Sequence, residues 1–360
     1  MRLFRHYTEV PVEARGAVVA LGNFDGVHRG HQSVVGEAAR RAGELGVSHA
    51  VLTFEPHPRE FFRPAQPPFR LTPFRIKARQ LEAMGVDYLF VLTFDAELAR
   101  KSAEAFVVEV LGEGLGAAHV VVGYDFVFGH GRRGDAALLS DLGATQGFGT
   151  SVVDPARAAT GEPFSSTRVR EALAAGDPLA AAAVLGRPWE IEGRVEHGDR
   201  RGHGLGFPTA NLPLGDYLQP ALGIYAIEAG IDEGRGTIWR DGVGYVGRRP
   251  SFAGERVLLE AHLFDYAGDL YGRHLRVALV DYIRADATFD DVGRLRAQIA
   301  ADAAEARRRL AAYDGPPPGA VAPLPPRPAR LDPPDVYDRG LRPRRATTSW
   351  PKAGDHGRPR

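Results

Sequence analysis

The chain has 360 residues, 44% of them hydrophobic, with 45 basic against 45 acidic side chains and no cysteine. That length suits two domains with ordinary cores; the balanced charge gives no global attraction for nucleic acid or an anionic membrane, and the missing cysteine excludes disulfides, thiolate metal sites and thiol nucleophiles. The opening MRLFRHYTEVPVEARG lacks the apolar stretch of a secretory signal and no apolar run reaches membrane-spanning length, so a cytoplasmic setting and small-molecule substrates are expected.

In chain order, short apolar runs at 17–21, 50–54, 88–94, 119–122 and 150–153 alternate with stretches of helical composition at 32–45, 73–84, 102–111 and 136–147. Strand, crossover helix, strand is the pattern of a parallel sheet covered on both faces, and VVVG and YLFVLTF read as strands buried on both sides. The fold class expected is α/β, Rossmann-like and doubly wound. Helices at 166–175 and 179–185 close this domain at residues 1–185. From 189 to 283 the texture becomes apolar–polar alternation, as in WEIEGRVEHG, GIYAIEAGI, RVLLEAHLFDY and HLRVALVDYI. Strands without intervening helices predict an antiparallel sheet or small β-barrel. Residues 289–313 predict a C-terminal helix with Val292, Leu295, Ile299 and Leu310 on one apolar face, with Thr288 and Asp291 as a capping pair. The second domain thus spans 186–313. Pro, Arg and Gly dominate 314–360, expected to be a disordered tail.

GNFDGVHRGH at 22–31 follows a strand and runs into the first long helix. Ligands of open parallel sheets bind at the carboxyl ends of strands, beside helix N-termini. Gly22, Gly26 and Gly30 permit tight turning and close backbone approach to phosphate, although the string is neither a Walker loop nor G-x-G-x-x-G. His28 and His31, i and i+3 at a helix mouth, share one face. There they can donate hydrogen bonds to a phosphate that gains charge in the transition state. The alternatives are a metal pair, which lacks the i, i+4 spacing and an adjacent third ligand, or plain surface histidines.

GNFDGVHRGH resembles the H-x-G-H signature of nucleotidyltransferases, in the form found in bifunctional riboflavin kinase/FAD synthetases. TFEPHPREFFRP, RLTPFRIKARQLEAMGVD, VVGYDFVFGHGRRGD and SSTRVREAL match that family in order. The resemblance implies transfer of AMP from ATP to FMN, giving FAD and pyrophosphate. It implies that Gly22, Phe24, His28, His31, Ser166, Thr167 and Arg168 bind ATP, with His28 and His31 catalytic. SSTRVR suits this, offering hydroxyls and N–H groups at a helix start with Arg168 one turn in, while Ser166 serves equally as an N-cap. The resemblance also puts the loop bearing Asp125, Phe126 and Phe128 near the flavin; core packing is the other reading of the phenylalanines. His57, on a proline-fixed loop, either lines the flavin site or braces the connection. A phosphate nucleophile needs no strong base, so positioning and charge stabilisation suffice.

In the second half, GRVEHGDRRGHGLGFPTANL at 193–212 has a glycine-rich loop, with Gly202 and Gly204, able to approach phosphates. Thr209 and Asn211 point the same way from an extended segment and offer hard oxygen ligands suited to Mg²⁺; a glycine-rich hairpin with a polar turn is the plainer reading. On the strand LLEAHLF, Leu259, Ala261 and Leu263 take one face while Glu260 and His262 take the other. Glu260 is either a partly desolvated base or a solvent-facing glutamate. GFPTANL, GIYAIEAG and EAHLFDYAGDLYG resemble the riboflavin kinase domain, which implies a six-stranded barrel, Thr209 and Asn211 as the Mg-ATP pair, Gly202 and Gly204 beside the nucleotide, and Glu260 as base for the ribityl 5′-hydroxyl. One departure from that pattern is Tyr245, where the family usually shows Asn.

Overall fold

Covered on both faces, the apolar runs of the first half become the centre of a parallel sheet. The computed structural model describes residues 1–197, 207–232, 236–251 and 254–321. The first sheet consists of β1 (Arg2–Phe4), β2 (Val18–Leu21), β3 (His49–Glu55), β4 (Tyr88–Thr93), β5 (His119–Gly123) and β6 (Gly149–Val153). Its order is β1-β4-β3-β2-β5-β6 and every pairing is parallel. Helices α1 (Arg29–Leu45), α2 (Pro58–Phe62), α3 (Phe74–Ala83), α4 (Ala96–Arg100), α5 (Ala103–Ala105, continued by π-helical turns over Phe106–Gly114), α6 (Ala136–Gln146), α7 (Ser166–Ala174) and α8 (Pro178–Leu185) connect and flank it. Val19, Leu21 and Leu52 pack on one side with Phe106 and Leu139. Val18, Ala20 and Val51 pack on the other with Val35 and Leu81. The strand order reverses between β2 and β5, so the ligand crevice of such a sheet falls where GNFDGVHRGH leaves β2.

The second sheet is antiparallel, in the order β7-β12-β9-β10-β11-β8. Its strands are β7 (Trp189–Arg194), β8 (Ala210–Pro213), β9 (Gly223–Asp232), β10 (Thr237–Ser251), β11 (Gly254–Leu263) and β12 (His274–Arg284). Beyond β7, the Glu196 N–H donates to the Asn211 carbonyl at 2.9 Å, bringing the two edges together. The sheet curls into a half-barrel around Ile191, Tyr225, Leu259 and Leu275.

Two expectations for the C-terminal region change. Helix α9 (Val292–Ala311) is capped by Asp291, which accepts from the Gly293 and Arg294 N–H groups. Its buried residues are Asp302 and Ala306, whereas Val292 is 65% exposed. An ion pair of Arg284 with Asp302 at 2.7 Å anchors the helix, and of the expected stripe Leu310 packs with Ala306 against Ala226 and Val243 while Val292 does not join the packed face. The segment up to Val321 is also tied down: the Gly319 N–H donates to Glu190 Oε1 at 2.6 Å and Val321 packs on the β2 side of the first sheet. The rest of the expected tail, 322–360, lies outside the described residues.

The two halves share one core, in which Leu71, Val169, Leu173 and Leu185 pack with Trp189, Tyr217 and Ile227. The Trp189 indole N–H donates to the Leu71 carbonyl at 2.8 Å, and Arg75 pairs with Glu192 at 2.6 Å. No helix among the described residues is long and apolar enough to cross a membrane.

Candidate functional site

After β2 the chain turns through Phe24 (φ 50°), Gly26 (φ 91°) and Val27 (φ 42°) before His28 caps α1. His28 Nδ1 accepts from the His31 N–H at 3.3 Å. The two imidazoles stack, with centroids 3.7 Å apart. Gly30 makes this possible, because a Cβ there would lie 3.0 Å from His28 Cε1. Burial lowers the His28 pKa to about 4, with Arg187 and Arg170 adding to it and Asp25 opposing. Burial, aided by His28, Lys77, Arg170 and Arg187, also holds His31 well below the ordinary value. Both rings are therefore neutral near pH 7. Since His28 Nδ1 is an acceptor, its proton sits on Nε2, leaving an N–H to donate. His31 Nδ1 is sealed from solvent and makes no hydrogen bond within the protein.

Behind this pair lies a buried charge network that reading the sequence missed. Asp25 accepts from the Leu71 and Thr72 N–H groups, each at 3.0 Å, and pairs with Arg170. Glu55 pairs with Arg70 at 2.6 Å and with the fully buried Lys77 at 3.1 Å. Composition alone puts such residues at the surface, and only the position of Asp25 inside the motif hinted otherwise. Replacing Asp25 by Ala leaves Arg170 and two amides unpaired, for an expected loss of about 3–5 kcal/mol, measurable by denaturant unfolding.

Several expected ATP contacts are modified. Phe24 is 1% exposed and packs edge-on to His31 at 5.3 Å, so it offers a ligand only its backbone. Ser165, not Ser166, caps α7; Ser166 Oγ donates to the Asp25 carbonyl at 2.7 Å, fastening α7 to the turn. Thr167 is exposed. Arg168 pairs with Glu162 at 2.6 Å and donates to the Pro163 carbonyl. Among the expected flavin residues, His57 caps α2 and packs on Phe69 at 5.1 Å. Asp125 is exposed. Phe128 belongs to the core, against Phe106, while the half-buried Phe126 stacks on it at 5.5 Å. The aromatic series continues from Phe106 through Phe54 and Phe94 to Phe62, which is 63% exposed.

On the half-barrel, Ala210 and Leu212 point into the core, so Asn211 faces the other way. Register places Asn211 on β8 opposite Glu260 on β11, and Glu260 opposite Tyr245 on β10. Leu259, Ala261 and Leu263 are buried as expected. Glu260 is not a carboxylate isolated among apolar groups: its Oε1 accepts from Arg249 Nε at 2.9 Å and pairs with Nη2 at 2.8 Å. Arg249 lies over the Tyr245 ring at 5.2 Å, and the Tyr245 hydroxyl donates to Asp286 at 2.6 Å. Burial and Asp286 push the Tyr245 pKa up to about 12, so it stays a neutral donor. Thr209 is partly exposed just before β8. Gly202 and Gly204 lie outside the described residues. No cluster of His, Asp and Glu suited to a metal ion occurs among the described residues.

The neutral His28–His31 pair thus lies at the end of the parallel sheet, while the Glu260 carboxylate lies on the half-barrel beside Asn211 and Tyr245. The class of protein that combines these two folds is a two-domain transferase, as the matching family models indicate. Residues 10–168 match the FAD synthetase family model and 185–310 the riboflavin kinase model. A bifunctional riboflavin kinase/FMN adenylyltransferase of Pseudomonas fluorescens is 43% identical over 308 residues, 85% of this chain and 97% of that one. One from Escherichia coli K12 is 41% identical over 310 residues, covering 85% and 97%. A solved Streptococcus pneumoniae structure, described as a macrolide-efflux protein, shares the fold with a TM-score of 0.74 at 30% identity, covering 85% of this chain and 98% of that one. The chain belongs to the bifunctional riboflavin kinase/FMN adenylyltransferase family.

Proposed function

We propose that the two family activities divide between the two sites: riboflavin is phosphorylated on the half-barrel, and the FMN formed is adenylylated at the end of the parallel sheet. The observation that carries the second assignment is the stacked, neutral His28–His31 pair at the switch point, with Nε2–H of His28 free to donate. An FMN phosphate oxygen attacks the α-phosphorus of ATP in line and pyrophosphate leaves. His28 and His31 stabilise the charge gathering on the α-phosphate. Gly22 and the backbone at Phe24 approach the nucleotide, and Ser166, Thr167 and Arg168 act on its phosphates, with Arg168 exchanging Glu162 for a phosphate. His57, Asp125 and Phe126 meet the flavin, for which the exposed Phe62 extends the apolar surface.

On the half-barrel, the riboflavin 5′-hydroxyl attacks the γ-phosphorus, ADP leaves and Glu260 takes the proton. An alcohol needs that help where a phosphate does not. Thr209 and Asn211, a hydroxyl and an amide on the Glu260 side of β8, fit a magnesium ion that screens the ATP phosphates. Gly202 and Gly204 belong to the same nucleotide site. We place the domain boundary at 185/186 and the enzyme in the cytoplasm.

Incubating the full chain with riboflavin and Mg-ATP and separating the flavins by chromatography tests the assignment. FMN should appear first and FAD second. FMN accumulating without FAD removes the adenylyl-transfer reading, and unconverted riboflavin removes the kinase reading.

A further inference from the structure

We infer that Arg187, at the entry to the half-barrel domain, is a positioning residue for adenylyl transfer, holding the Phe24–Val27 turn in shape from behind. The inference rests on assigning that turn to adenylyl transfer. Arg187 lies inside the segment that matches riboflavin kinase, beyond the 10–168 that match FAD synthetase.

Three observations carry it. The turn is strained: Val27, β-branched and fully buried, has φ 42° and Phe24 has φ 50°, and such backbone persists only where its surroundings over-determine it. Arg187 supplies that constraint. Its Nη2 donates to the Gly26 carbonyl at 2.8 Å, and its Nη1 to the carbonyls of Val27 at 3.2 Å and Leu185 at 3.3 Å. Gln32 Nε2 adds bonds to Val27 and Leu185, both at 2.9 Å. The next residue is His28, so the peptide that Arg187 grips sets the direction from which the His28 ring meets His31. Second, Arg187 is 2% exposed, and among the described residues no carboxylate is in ion-pair contact with it; Glu190 acts on it only from further off. A buried cation spent on backbone carbonyls is costly, which favours a role beyond filling space. Third, Arg187 faces both imidazoles with its charge, together with Arg170 for both and Lys77 for His31, against Asp25 at His28. It therefore helps keep them neutral.

The planar fork of arginine spans two successive carbonyls, whereas lysine offers a point charge, and this separates geometry from charge. In the full-length chain, Arg187→Met should lower kcat for FMN-to-FAD conversion about 100-fold, the scale of a 1 Å misplacement, with smaller changes in KM. The same preparation should phosphorylate riboflavin at the parental rate. The acid limb of FAD formation should move to higher pH, because the histidines lose a positive neighbour. Arg187→Lys should keep the acid limb in place and recover part of kcat. Parental FAD formation in the methionine protein overturns the inference, as does an equal fractional loss of both activities, the mark of a folding defect. If the methionine protein does not fold, Arg187→Lys decides: a lowered kcat with an unmoved acid limb supports the inference and parental kinetics overturn it. His31→Ala checks the site assignment separately, since silence there and at Arg187 sinks the assignment, whereas silence at Arg187 alone sinks only this inference.

Discussion

Glu260→Gln should abolish FMN formation from riboflavin while the same protein still converts supplied FMN to FAD. The glutamine keeps the shape but cannot take the proton of the ribityl hydroxyl, and general-base removal costs about 10²–10⁴-fold. The fold should survive the change. Glu260 lies on the face of β11 opposite Leu259 and Ala261, which carry the core. Its partner Arg249 is 44% exposed, and pairs that exposed contribute little to stability. Chromatography of flavins from two parallel reactions, one started from riboflavin and one from FMN, reads the result. FMN formation at a tenth of the parental rate or better rules out Glu260 as the base, and loss of both reactions in a folded variant contradicts separate sites.

His31→Ala should do the reverse, leaving riboflavin phosphorylation intact and lowering FAD formation by about 10²–10³-fold, the usual cost of removing a donor aimed at developing charge. Its pH behaviour sharpens the test. With the His28 pKa lowered to about 4 by burial and His31 depressed as well, the parental enzyme should make FAD at an undiminished rate from pH 7.5 down to 6. An ordinary imidazole would already be titrating there. Stability follows the opposite calendar. Both histidines have folded-state values below the unfolded one, so the unfolded chain binds their protons first as pH falls. Their contribution is complete above about pH 6.5 and is lost as pH falls from there toward 4. An acid limb near 6.5 in the parental rate profile would show that the catalytic imidazoles are not the buried pair.

The central strands of the first sheet were legible because burial on both faces leaves a continuous apolar run, as in VVAL and YLFVLT. β1 was not, being three residues at an edge between charged neighbours. β10 escaped because Gly242, Gly244 and Gly247 break the alternation that marks a strand. The histidine pair was readable from spacing, and the face carrying Glu260 from period two. Which serine caps α7 was not, since Ser165 and Ser166 are chemically alike and one residue apart. Nor was the Arg249–Glu260 pair, which hairpin register brings together across eleven residues of sequence. Asp25, Lys77, Asp302 and Arg187 share a different reason: hydropathy assigns charged side chains to the surface, and only tertiary partners justify their burial.

Leu71 gives its N–H to Asp25 and its carbonyl to Trp189, so the two peptide groups flanking its Cα are held from opposite halves of the molecule. A rigid-body swing of one half against the other would break the Trp189–Leu71 bond inside the shared core and leave buried polar groups unpaired. That shared core resists hinge motion between the two halves. On the division of sites proposed above, a fixed packing predicts that handover of FMN depends on its rates of release and recapture, in competition with escape to bulk water, and not on motion of the halves.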